Sequence, residues 1–127
     1  MQYLVDTHIL VGRLLKPSRL PKRIRQIFSD KNQEFLIPTM VLLEMQYLNE
    51  IGRVEVAMDD VLKAVQEESQ FQIVSFDETA LLHAVRLIGT RDPFDRVILS
   101  HALSTSTKIL TKDHWMKQTA PHLVIDS

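Results

Sequence analysis

Short apolar runs alternate with segments whose apolar residues recur at helical spacing along the whole chain, and no other feature constrains the fold as strongly. QYLVD (2–6) is an apolar run ending in an acid, and ILVGRLL (9–15) after it has helical rather than alternating spacing. The polar stretch KPSRLPKRIRQIFSDKNQ has two prolines near its start and then Ile24, Ile27 and Phe28 at helical spacing, which predicts a loop leading into a short helix. EFLIP is a second strand, and Pro38 can occupy the first turn of a helix through TMVLLEMQYLNEI that stops at Gly52. MDDVLKAVQEES predicts another helix, FQIVSF a buried strand and DETALLHAVRLIG a further helix. DPFDRVILSHALST opens on an Asp-Pro start signal, TKILT is the fourth strand, HWMKQ one helical turn and HLVID a final edge strand. Strands alternating with helices imply parallel pairing in a doubly wound α/β sandwich with right-handed crossovers.

At 127 residues and 45% hydrophobic content, the chain suits one domain over 1–127 with a continuous core. The net charge of −1 excludes a protein that grips nucleic acid with its whole surface. A nucleic-acid role then needs a local basic patch, or metal ions held by acids and bridging to phosphates. The absence of cysteine rules out a disulfide framework, and MQYLVDTH lacks the charged start and apolar stretch of a secretory signal. The apolar runs are too short to span a bilayer, so the expectation is a soluble cytoplasmic protein with no membrane partner.

Ligands of open α/β sheets bind outside the carboxyl ends of the strands, near the point where strand order reverses. Asp6 closes the first strand, Asp113 lies just past the fourth, and Asp95 sits in the first turn of the helix leading into that fourth strand. Glu44 carries the strongest physical signal. At about 100° per residue its helix puts Gln46, Asn49, Glu50 and Arg53 on a polar face, with Glu44 opposite among Met40, Val41, Tyr47, Leu48 and Ile51. A carboxylate on the apolar side needs a cation, a metal, a proton, or an inward ion pair or hydrogen bond. Asp92 and Asp95 stand at the N-cap and third positions of the DPFD helix, where capping and the helix dipole also favour acids. Asp6 and Asp113 can likewise be only the starts of a helix or turn. Four acids at one end of one sheet make a shared cation the more economical account. Phosphodiester hydrolysis needs phosphate charge neutralised, a water activated and a leaving oxygen stabilised, and Mg²⁺ or Mn²⁺ on hard oxygen ligands supplies all three.

LVDTHIL, PTMVLLEM, RDPFDRVILSHAL and LTKD resemble, in that order, the four acidic motifs of PIN domains, and DPFDR is similar to a VapC-like subgroup of toxins. The correspondence spans nearly the whole chain. The resemblance implies a five-stranded parallel sheet between helices, with Asp6, Glu44, Asp95 and Asp113 as the catalytic metal-site acids for Mg²⁺ or Mn²⁺. It places Asp92 nearby as a capping or supporting residue, and Thr7 and Thr111 as hydroxyls close to the site. It implies endonucleolytic cleavage of RNA, a homodimer, and neutralisation by a cognate antitoxin in a type II toxin–antitoxin pair. One departure is ILVGRLL, where many relatives carry a tryptophan and this chain has Gly12.

His8 and His114 lie near the proposed acids, but no HxxxH or HxxE spacing accompanies them, which favours structural or substrate-contacting roles over zinc ligation. His83 and His101 read as packing or interface residues. Lys16, Arg19, Lys22, Arg23 and Arg25 form the densest basic cluster, with Arg91, Arg96 and Lys112 as further candidates for RNA contact, against the plainer account of solvated charge. Trp115 beside Asp113 suits core packing better than base stacking. A haloacid-dehalogenase-type phosphohydrolase wants a second acid two residues after the first, where this chain has His8. A receiver module lacks its acid pair here. The remaining alternative is a catalytically silent protein that keeps the PIN fold to bind a partner.

Overall fold

The computed structural model describes all 127 residues. Strands β1 (Gln2–Val5), β2 (Glu34–Pro38), β3 (Phe71–Val74), β4 (Lys108–Leu110) and β5 (Val124–Ile125) alternate with helices α1 (Thr7–Leu15), α2 (Lys22–Ser29), α3 (Thr39–Glu50), α4 (Met58–Glu67), α5 (Glu78–Ala84), α6 (Pro93–Thr105) and α7 (His114–Thr119). A 3-10 turn over Pro17–Arg19 joins α1 to α2. All strand pairs are parallel, in the order β3-β2-β1-β4-β5. The chain lays down β1, β2 and β3 in one direction and then returns to add β4 and β5 on the other side of β1. Strand order therefore reverses between β1 and β4, where Leu4 pairs with Leu36 on one side and Ile109 on the other. Central strands of a parallel sheet are covered on both faces, which is why YLV, FLI and IL read as continuous apolar runs.

A cluster of 25 buried apolar residues runs through sheet and helices. Phe28 of α2 meets Phe35 at 4.6 Å between ring centres, and Phe71 closes the group edge-on to Phe35. Gly12 allows the chain after α1 to fold back: a Cβ there would stand 2.7 Å from Leu20 Cδ2, so the glycine admits Leu20 rather than loosening the helix. At the end of α3, Gly52 takes φ +77 and donates to Asn49 O while Arg53 N donates to Leu48 O, a Schellman stop that turns the chain sharply.

Three expectations need correction. FQIVSF is not a buried strand, because β3 is the sheet edge and Ile73 stays exposed. DETALLHAVRLIG is helical only to Ala84, where Arg96 reaches across from α6 and takes up the freed carbonyls. Pro38 does not enter the helix; at ψ 140 it ends β2 in extended conformation and leads into Thr39. HLVID does supply an edge strand, shortened to Val124–Ile125. No helix is long and apolar enough to cross a membrane.

Candidate metal centre

The acids meet at the carboxyl ends of β1 and β4. Asp6, only 3% exposed, follows β1 and caps α1, accepting at 2.8 Å from Thr7 N on one oxygen and at 2.5 Å from Thr111 Oγ1 on the other. Thr111 follows β4, and its hydroxyl oxygen also accepts from Asp113 N at 3.0 Å. Asp113 caps α7, accepting from Met116 N. Glu44, 8% exposed on the inner side of α3, accepts from the Thr7 hydroxyl at 2.5 Å. The buried threonines therefore hold one carboxylate each, and Thr7 links the Asp6 cap to Glu44. The stripe expected around Glu44 divides, since Val41 and Leu48 are buried whereas Tyr47 and Ile51 face solvent.

Asp92 caps α6 with Oδ1, which accepts from Phe94 N and Asp95 N, and Pro93 fills the first helical position. Its carboxylate also joins those of Glu44 and Asp95, with one oxygen from each residue lying within 4.8 Å of the others. Sequence reasoning placed Asp92 beside the site as a cap; the structure brings it into the cluster.

Electrostatics follow from this crowding. Burial pushes the Asp95 carboxyl up to about 7, and Asp113, Asp92, Asp6 and Glu44 push in the same direction. Burial also raises Asp6 and Glu44, opposed mainly by the hydrogen bonds from Thr111 and Thr7 respectively. No lysine or arginine neutralises the group, because the only salt bridge in the structure joins Lys117 to Asp126. Carboxylates packed together without a counter-ion are the hard-oxygen donor set that a divalent cation such as Mg²⁺ or Mn²⁺ prefers.

The loop entering α6 is pinned from two sides. Arg96 Nη1 donates to Ala84 O at 3.0 Å and Leu87 O at 2.5 Å, and Nη2 donates to Thr90 O at 2.6 Å. Trp115 packs against the core and donates from Nε1 to Ile88 O at 2.9 Å, over Gly89. Arg96 thus organises the approach to Asp92 instead of presenting a free cation to RNA. The other basic residues separate. Lys16, Arg19 and Lys112 line a trough of about 640 Å³ with His8, Arg53 and Glu55, whereas Arg25 shares a cavity of about 410 Å³ with Arg13. Lys22, Arg23 and Arg91 are exposed and line neither. His8 and His114 are exposed beside Asp6 and Asp113, His101 is buried, and His83 is exposed on α5.

A family model described as PIN domain matches residues 3–120. The chain belongs to the PIN domain family. No curated protein matches the sequence. Among solved structures, this PIN domain is similar to VapBC2 from Rickettsia felis bound to a DNA fragment from their promoter (TM-score 0.69, 21% identity, 98% of this chain and 96% of that one). It is similar also to VapBC-1 from nontypeable Haemophilus influenzae (TM-score 0.67, 20% identity, 99% and 98% covered) and to FitAcB from Neisseria gonorrhoeae (TM-score 0.65, 20% identity, 98% and 96% covered). At these identities the likeness is one of fold, and it extends over nearly the whole PIN domain.

Proposed function

We propose that this PIN domain, acting as one unit over 1–127, is a Mg²⁺- or Mn²⁺-dependent endoribonuclease and the toxin of a type II toxin–antitoxin pair. The observation that carries the reading is the meeting of Glu44, Asp92 and Asp95, one carboxylate oxygen of each within 4.8 Å of the others and none of them in a salt bridge. Asp6, Glu44, Asp95 and Asp113 would hold the metal, with Asp92 contributing beside Glu44 and Asp95. When bound, the ion supplies charge neutralisation at the phosphodiester and a water acidic enough to attack it.

The chain's own residues do the rest. Thr111 and Thr7 fix the Asp6 and Glu44 carboxylates, so their orientation is set before substrate arrives. A carboxylate oxygen of the Glu44, Asp92 and Asp95 group left off the ion would accept the proton of the attacking water. Lys112 next to Asp113, together with Lys16 and Arg19, holds the phosphates of the RNA strand in the trough.

The solved neighbours are toxin–antitoxin complexes, which supports a cognate antitoxin as partner. An antitoxin segment inhibits by placing a basic side chain among the unneutralised acids. Leu43, Tyr47 and Ile51 form an exposed stripe on α3, and Leu81, Leu82, Val85 and Ile88 are exposed on and after α5, an apolar area suited to a second copy in a homodimer. The reading places the protein in the cytoplasm, away from membranes.

The test is cleavage of single-stranded RNA with Mg²⁺ or Mn²⁺, with chelator, and by Asp6→Asn and Asp95→Asn proteins. Cleavage that persists in chelator, or at the wild-type rate in both variants, refutes the assignment.

A further inference from the structure

Arg13 and Arg25 come from different helices and line the same cavity of about 410 Å³, with no acidic residue in its walls. Neither forms a salt bridge, so two like charges share a concavity without a counter-ion. Arg13 is held in place, its guanidinium lying 5.7 Å above the centre of the Phe28 ring. Ser18 lines the same walls, as does Ser29, whose hydroxyl donates to Arg25 O at 2.8 Å. Two guanidiniums with nearby hydroxyls match the oxygens of a phosphate group.

The cavity is not isolated from the trough. Leu20, buried under Gly12, lines both. The trough is lined by His8 and Lys112, which neighbour Asp6 and Asp113 in sequence, and by Lys16, Arg19, Arg53 and the acidic Glu55. Arg13 lies seven residues beyond Asp6 along α1, roughly 10 Å along the helix axis. Lysines or arginines therefore line both concavities, with Glu55 the one acid among them, as a polyanionic strand requires.

We propose that the Arg13–Arg25 cavity is a distal phosphate site, which takes a phosphodiester of the substrate strand beyond the Arg53-lined trough. The inference rests on the ribonuclease reading for the identity of the strand. An acidic peptide would use the same charges, but it would not need continuity with a phosphodiester-cleaving centre.

The test measures binding of single-stranded RNA oligonucleotides of about 4 to 16 nucleotides to wild type, Arg13→Gln/Arg25→Gln and Arg25→Glu, in chelator so that no strand is cut. Arg25 is exposed on α2, so Arg25→Glu keeps the test valid if the double variant folds poorly. For the longest oligonucleotides, affinity falls about tenfold or more and the slope of log K against log salt drops by roughly 1.4 in the double variant, as loss of two single-strand phosphate contacts requires. The shortest oligonucleotides, confined to the trough, bind all three proteins equally. Loss of affinity at every length, or at none, overturns the proposal, as does a double variant that binds RNA normally but loses poly-glutamate. In a second arm, inorganic phosphate shifts the Arg13 and Arg25 Nε–H resonances of wild type; no shift overturns the anion site. Absence of cleavage alongside length-dependent binding would sink the nuclease reading and leave this one standing.

Discussion

Thr111 donates its hydroxyl to the Asp6 carboxylate at 2.5 Å, across 105 residues of sequence, and so ties the end of β4 to the end of β1. The same hydroxyl oxygen accepts from Asp113 N, so one buried side chain positions two acids. Thr111→Val keeps the shape and removes both bonds, leaving a buried carboxylate oxygen and a backbone N–H without partners. Stability should fall by about 1–3 kcal/mol in urea unfolding, while Thr111→Ser stays near wild type. Equal stability of the valine and serine proteins would show that the bond contributes nothing.

Asp95→Asn removes the charge that four neighbouring acids oppose. At pH 7.5 in chelator the variant should be more stable than wild type by about 1–3 kcal/mol, because the repulsion and burial penalty of one carboxylate are gone. RNA cleavage should fall about 10²–10⁴-fold. Chemical denaturation and a cleavage assay on the same preparation check both; a variant that loses stability contradicts the electrostatic account.

The metal-free protein should lose stability as pH rises through the neutral range. Asp95 in the folded state holds its proton up to about pH 7, whereas the unfolded chain releases it near 3.8. Between those values the folded state binds the extra proton, so stability falls with rising pH and levels off above 7. Burial raises Asp6 and Glu44 in the same direction. Discounted for the partial exposure of Asp95, its contribution is about 1–3 kcal/mol. Melting in chelator from pH 5 to 8 should show the decline, and Mn²⁺ should reverse it above pH 7 while releasing protons, since ligation needs the carboxylate. A melting temperature that climbs steadily to pH 8 without metal is the opposite result.

Arg96→Met keeps the apolar stem and removes donors to Ala84, Leu87 and Thr90. The loss should be about 2–4 kcal/mol, since the three carbonyls are only part-buried and water recovers some of the roughly 1.5 kcal/mol that each bond to a charged donor contributes. Hydrogen exchange should quicken in residues 85–91 before it does in α3. Uniform protection across the two segments would argue that the loop is held by other means.

The acids were legible in the sequence because strand ends are legible: Asp6 and Asp113 each follow an apolar run, and the carboxyl-edge rule selects them. Glu44 stood out by its place opposite the polar face of α3. Asp92 was half legible, since capping explained its position and concealed that a carboxylate has a second oxygen to offer Glu44 and Asp95. Local pattern also hid the early end of α5, because Arg96, which takes up its carbonyls, lies twelve residues after Ala84. FQIVSF read as buried because apolar content does not tell an edge strand from a central one. Arg53 went unnoticed as one more polar residue on a helix face, until the positive φ of Gly52 turned it toward α1.

The pairing of β1 with β4 also governs timing. Asp6 is translated 105 residues ahead of the hydroxyl that orients it, and the Asp113 carboxylate follows later still. A polypeptide interrupted earlier carries Asp6, Glu44, Asp92 and Asp95 without the strand that assembles them. Such a fragment lacks the β1–β4 pairing that orients Asp6, so the acid cluster is complete only once residue 113 is in place.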